Sequence, residues 1–280
     1  MPDAPVKLRA ASTVIVARPA QDSPFEVYML RRSAKVDFVP DVFVFPGGGL
    51  DASDHTPATL NRAFGLSVAD VAAAFRDEPD SGAWHARLDL SPEQRLGLYV
   101  AALRELFEEA GVLLAVDTQD KPLELNSPES HHRIAAYRIA SQKGELSFLE
   151  MLSQERLRAD LSRLTYFSHW ITPVSEHRRY DTHFFLATAP ADQQAESDFL
   201  ETTEGVWIAP GRALERYKAR DFNLIYPTLL HLRRLAAQPS LEALQEYART
   251  KPIVSAMPDV SWDDAGKPRF ALAPETLERW

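Results

Sequence analysis

Three carboxylates stand closest to chemistry in this chain. In the run Arg104-Glu105-Leu106-Phe107-Glu108-Glu109-Ala110-Gly111-Val112, Glu105, Glu108 and Glu109 occupy positions i, i+3 and i+4. That spacing puts side chains on one face of a helix. Like charges so placed destabilise an isolated helix by a few tenths of a kcal/mol per pair. A hard divalent cation such as Mg2+ relieves the repulsion, because oxygen-only ligands suit it. Arg104, four residues before Glu108, can hold that carboxylate by a charge-assisted bond. Alone, the string is more often a solvated Glu/Arg-rich helix. A second feature is Phe45-Pro46-Gly47-Gly48-Gly49-Leu50-Asp51, a strand end running into glycines, where the backbone can come close to a ligand. By itself this is a tight turn.

Together the two pieces resemble the Nudix box, G-x5-E-x7-R-E-U-x-E-E-x-G-U, where U is a bulky aliphatic. Gly48 followed after five residues by Asp54 fits the front half, with Asp in place of Glu. Arg104, Glu105, Leu106, Glu108, Glu109, Gly111 and Val112 fit the back half. The family has seven residues between the front acid and the arginine; here there are 49, so the motif is split by an insertion of 42. In this the chain looks like the split-box peroxisomal coenzyme A diphosphatase branch and its bacterial relatives. The resemblance continues in Leu30–Ser33, Trp170–Pro173 and Arg179–Ala187, and covers roughly residues 12–235.

The resemblance implies an α/β fold, a Nudix α/β/α sandwich with a mixed sheet and two helical insertions. It implies hydrolysis of a diphosphate linkage with Mg2+ (or Mn2+). Coenzyme A or an acyl-CoA would give 3',5'-ADP and (acyl-)phosphopantetheine. The alternatives are ADP-ribose, a dinucleotide or a nucleotide sugar as substrate, and a non-catalytic Nudix domain that binds a nucleotide. Glu105, Glu108 and Glu109 would be metal ligands, with the Gly47 carbonyl assisting, and Arg104 would orient a glutamate. A further acid from a later loop would be Glu201 or Glu204, just before Trp207. Arg31 and Arg32 precede the box where some coenzyme A hydrolases carry a basic residue, and Arg178 and Arg179 are candidates for substrate phosphates or for pairing with Asp181. A neighbouring branch has a glycine four residues before the box phenylalanine, where this chain has Asp41.

The other residue types narrow the field. The net charge of −9 argues against a nucleic-acid coat, which wants a basic face. No cysteine is present, so disulfides, thiolate metal sites and a cysteine nucleophile are excluded; this fits the cytoplasm. No run approaches the ~20 apolar residues of a membrane helix, and MPDAPVKLRAAS lacks the apolar core of a signal peptide. A small-molecule substrate is expected, and a homodimer stays open. His131, His132 and His177 lack metal-ligand spacing, and Tyr166 and Trp170 read as core aromatics rather than base-stacking platforms.

The elements that must position the box follow from pattern. Residues 1–10 read as a tail and 11–250 as the Nudix domain. Apolar, β-branched Ser12–Ala17, Phe25–Arg31 and Val42–Phe45 read as strands. The stretch 55–95 reads as the first insertion, with a short helix at Val68–Phe75. Ser91, Pro92 and Gln94 form a helix start, and Gly111 a helix stop. Val112–Val116 reads as a strand and 126–163 as a second, helical insertion. Strands at Thr165–Ile171, Asp181–Ala187 and Thr203–Ala209 precede helices near 210–219, 223–236 and 240–249. The segment 251–280 reads as a C-terminal extension.

Overall fold

The apolar run around Ser12–Ala17 becomes an eleven-residue strand, Leu8–Arg18, in the computed structural model, which describes residues 6–34, 40–75, 77–197 and 202–280. Its side chains alternate between two packed faces. Val14 and Val16 join one apolar cluster, and Ile15 and Ala17 the other. A strand covered on both faces must be apolar throughout, which is why this one shows no polar alternation.

The central sheet runs Thr202–Ile208, Glu26–Arg32, Leu8–Arg18, Arg179–Thr188, Thr165–Ile171, Ile253–Ala256, Asp77–Gly82. Leu8–Arg18 is parallel to Arg179–Thr188, and Ile253–Ala256 is parallel to both of its neighbours. The remaining pairs along this path are antiparallel. The sheet is therefore mixed, as expected. Helix Pro92–Ala110 covers one face, and Pro210–Lys218, Tyr226–Ala236 and Leu241–Thr250 cover the other.

The long helix has the ends its sequence implies. Ser91 Oγ accepts from Gln94 N at 3.2 Å, and Gln94 Oε1 accepts from Ser91 N at 2.9 Å. Gly111 ends it in the left-handed region at φ 70°, where a side chain would be strained.

Several segments depart from expectation. The first strand begins at Leu8, inside the stretch read as a tail. The first insertion does not simply leave the sheet, because its Asp77–Gly82 strand forms the sheet edge. The second insertion holds helices Pro128–Gln142 and Phe148–Gln154 and then a short strand, Arg158–Asp160. That strand pairs with Ala63–Phe64 of the first insertion and with Ala115–Val116, the part of Val112–Val116 that is extended. The two insertions thus meet in a small sheet of their own. Ile253–Ala256, in the segment read as an extension, pairs inside the central sheet, and Asp259–Trp262 and Pro268–Ala271 form a hairpin beyond it. Among the described residues no helix is long and apolar enough to cross a membrane.

Candidate active site

The glycine turn and the acidic helix meet because a strand without side chains fits between them. Gly47–Gly49 pairs antiparallel with Ala11–Thr13 at the edge of the first strand. A Cβ on Gly47 would lie 2.4 Å from the Ser12 carbonyl oxygen, so that approach is open only to glycine, and one on Gly48 would lie 2.4 Å from Glu105 Oε1 and displace that carboxylate. Gly47 N donates to Glu109 Oε2 at 2.7 Å. The split halves of the motif are therefore in direct contact.

Arg104 is the centre of the arrangement. Its Nε and Nη2 donate to the two carboxylate oxygens of Asp54, each at 2.9 Å. Nη2 also reaches Gly49 O at 3.0 Å, and Nη1 donates to Glu105 Oε1 at 2.7 Å and Glu108 Oε2 at 3.1 Å. Asp54 is 2% exposed and Arg104 9%. Burial opposes the guanidinium charge, and the carboxylates of Asp54, Glu105 and Glu108 outweigh it, holding Arg104 above its ordinary pKa. The front acid, left out of the expected site because 49 residues separate it from Arg104, is the two-point anchor of that arginine.

The second insertion grips the same helix from its C-terminal end. Ser141 Oγ donates to Glu108 Oε1 at 2.6 Å. Arg138 donates to the carbonyls of Glu108 at 2.9 Å and Glu109 at 2.7 Å, and Gln142 Nε2 reaches the Glu108 carbonyl at 2.6 Å. The last carbonyls of a helix have no partner within it, so these side chains supply the missing donors. No periodicity marks such residues in the sequence. A polar helix landing after the box was the only signal.

A cleft of about 840 Å3 opens beside the glycines. Gly47–Gly49, Glu105 and Glu109 line one part of it, and Trp170, Tyr226 and Phe270 another, with Arg32 and Arg178 also on its wall. Glu108 is turned toward Arg104 and Ser141 instead. Burial, helped by the charges of Glu108 and Asp54, outweighs the pull of Arg104 and holds the Glu105 carboxyl up at about 7. Asp54, Glu105 and Glu108 thus share one guanidinium, and Glu109 adds a further carboxylate on the cleft wall, in a partly dry site. The surplus negative charge and the oxygen-only donors fit a hard divalent cation.

The expected substrate-binding residues divide. Arg32 and Arg178 line the cleft, and the Arg32 Nε is buried with no hydrogen-bond partner. Arg31 does not line it. Arg31 pairs with Asp41 at 2.7 Å and lies 3.7 Å from Glu204, its neighbour in the strand register. Asp41 thus has a cation of its own. Arg179 Nε donates to Thr172 O at 3.1 Å, and Asp181 is engaged by His169 and by Leu88 N rather than being held for the arginines. Glu201 lies outside the described residues. Tyr166 is buried core, whereas Trp170, also buried, shows one side to the cleft.

Comparison with known proteins agrees with this geometry. The family model described as the NUDT19 Nudix domain matches residues 3–235. Acyl-coenzyme A diphosphatase NUDT19 of Xenopus laevis is 28% identical over 247 residues, covering 80% of this chain and 63% of that protein. The chain therefore spans just under two thirds of the frog protein's length. The Homo sapiens protein of the same name is 29% identical over 266 residues, covering 85% of this chain and 71% of that one. The crystal structure of a NUDIX hydrolase from Alicyclobacillus acidocaldarius matches with a TM-score of 0.66 at 25% identity, covering 87% of this chain and 97% of that one.

Proposed function

This chain belongs to the NUDT19 Nudix domain family, and from that premise we propose that it hydrolyses the diphosphate of coenzyme A or an acyl-CoA to 3',5'-ADP and (acyl-)phosphopantetheine. The observation that carries the reading is the two-part cleft. Glycine backbone, Glu105 and Glu109 stand at one part, an aromatic wall of Trp170, Tyr226 and Phe270 at another, and Arg32 and Arg178 beside them. A diphosphate suits the first part, a long pantetheine arm the second, and a ribose phosphate the arginines.

Nudix hydrolases generally need a divalent metal. Here Glu105, Glu109 and the Gly47 carbonyl, with Glu108 alongside, would hold Mg2+ (or Mn2+). Bound there, the ion would neutralise non-bridging phosphate oxygens and lower the pKa of a water. The chain's own contribution is position and proton transfer. Arg104 fixes Glu105 and Glu108, Gly47 N fixes Glu109, and a carboxylate of this cluster takes the proton of the attacking water. No covalent intermediate is needed.

The test compares kcat/KM for coenzyme A, 3'-dephospho-coenzyme A and ADP-ribose at equal Mg2+. A contact from Arg32 or Arg178 to the 3'-phosphate favours coenzyme A over its dephospho form by about tenfold, or ~1.4 kcal/mol. Equal rates for those two, with ADP-ribose faster than either, refute the reading.

A further inference from the structure

A second cluster of ligand-type side chains lies inside the sheet, apart from the acidic cleft. His169 on Thr165–Ile171 and His183 on Arg179–Thr188 are cross-strand partners. Asp181, two residues before His183, shares its face. His169 and Asp181 are 0% exposed and His183 2%. Among the described residues this is the group of His and acid side chains whose ligand atoms lie within 4.8 Å of one another.

The hydrogen bonds orient all three toward a common point. His169 Nε2 bonds Asp181 Oδ1, and His183 Nε2 lies 3.5 Å from the same oxygen with no hydrogen-bond partner. Both remaining ring nitrogens meet hydroxyls: His169 Nδ1 with Ser255 Oγ at 2.8 Å, and His183 Nδ1 with Tyr166 OH at 3.0 Å. Asp181 Oδ2 accepts from Leu88 N at 2.6 Å. His183 is held as a metal-ligating histidine is, its far nitrogen fixed by a hydrogen bond and its near one without a partner, whereas the near nitrogen of His169 exchanges its bond to Asp181 for the ion.

The charges agree. Burial opposes ionisation of Asp181, but His169, His183 and Leu88 N outweigh it and hold the carboxyl below its ordinary pKa. A carboxylate beside an imidazole whose buried Nε2 has no hydrogen-bond partner is a ligand set, because a buried polar atom left without a partner is otherwise unfavourable.

We propose that His169, Asp181 and His183 form a buried structural site for a divalent transition-metal ion of the zinc class. Two imidazole nitrogens and one carboxylate oxygen suit zinc better than magnesium. The 3.5 Å separation of His183 Nε2 from Asp181 Oδ1 is close to the edge of a tetrahedron with bonds of about 2.0–2.1 Å. Loading the ion displaces the proton between His169 and Asp181 to solvent. The imidazoles are stacked with centroids 4.4 Å apart and planes 12° apart, so loading also swings one ring out of the stack about its Cβ–Cγ bond, which brings both lone pairs onto the ion. The ion would fasten two sheet strands directly. Through Ser255 and Leu88 it would also fasten the C-terminal strand and the return from the first insertion.

Because the site is closed to solvent, the ion must enter during folding, and the test loads it in the cell. Untagged protein is produced in medium supplemented with Co2+ or Zn2+, then washed with excess Mg2+ to clear the acidic cleft. The wild type should retain about one equivalent by elemental analysis, with the visible d–d bands of low-coordinate Co2+. His183→Gln should lose both the ion and the bands. If that variant does not fold, Tyr166→Phe, which removes only the hydroxyl on Nδ1, should weaken retention against a chelator by about tenfold. Folded wild type free of transition metal overturns the proposal, as does undiminished metal in folded His183→Gln or unchanged retention in Tyr166→Phe.

Discussion

Arg104 and Asp54 meet through two hydrogen bonds of 2.9 Å, Nε to Oδ1 and Nη2 to Oδ2, although 49 residues separate them in the chain. The pair is nearly buried, so removing one partner leaves a charge with nowhere to go. Asp54→Asn should destabilise the protein by about 3 kcal/mol, the low end for a broken buried pair, because Glu105 and Glu108 still hold part of the guanidinium. Urea denaturation gives the number. An effect within ~0.5 kcal/mol, typical of a surface site, would mean that Asp54 does not anchor Arg104.

Glu109→Gln keeps the shape of the side chain and its acceptor for Gly47 N but removes a charge. Turnover should fall by about a hundredfold or more, equivalent to ~2.7 kcal/mol in the barrier, while the melting temperature stays within a degree or two. Near-normal rates would remove Glu109 from the machinery.

Ser141 offers a finer test, because it touches Glu108 from outside the motif. Losing one hydrogen bond to a charged group is worth about 1.5–3 kcal/mol. Ser141→Ala should therefore raise the Mg2+ concentration needed for half-maximal activity by about tenfold, and Ser141→Thr should restore it. If the alanine variant keeps the wild-type Mg2+ dependence, Ser141 merely packs.

The Glu105 carboxyl supplies a pH test. Its pKa in the folded chain, about 7, lies above the ordinary 4.5, so the folded state binds this proton more tightly. The stability it contributes is full below about pH 4.5 and is lost as pH rises through about 7, by up to about 3 kcal/mol. Metal-free protein should weaken across that window, Glu105→Gln should flatten the decline, and Mg2+ should oppose it by binding the ionised form. Identical pH profiles for the wild type and Glu105→Gln would refute the assignment.

Arg32 lines the cleft with a buried, unbonded Nε. Arg32→Gln should raise KM for coenzyme A several-fold with little change in kcat, the mark of lost uniform binding. An equal rise for 3'-dephospho-coenzyme A would assign the contact to the diphosphate instead of the ribose phosphate.

What the sequence made legible was local. Glu105, Glu108 and Glu109 share a helix face because of the helical period, and Ser91 and Gly111 bound that helix by capping chemistry any reader can apply. Asp54 stood at the right distance from Gly48, but no local rule spans 49 residues, so its partner was hidden. Ser141 and Arg138 come from an insertion whose helix carries no functional period. That Glu204 has Arg31 as its neighbour across the strands was hidden, because a strand pattern does not say which residue lies alongside. Ile253–Ala256 is four residues long, too short for alternation to distinguish a sheet strand from an apolar stretch of loop. His169 and His183 fall on different strands, and only the register between them brings them together.

The split of the motif separates covalent order from spatial assembly. Gly47 reaches Glu109, and Asp54 reaches Arg104, through contacts that do not require the intervening chain to be continuous. A cut at the exposed Gly65 would leave an N-terminal piece held by strand pairing to Arg179–Thr188 and Thr202–Ile208, and a C-terminal piece carrying the acidic helix. The site is in this sense already a complex of two polypeptides that happen to be joined, and the exposed turn at Gly65, between the elements that the joining segment contributes to the two sheets, is the place where it can be lengthened or severed.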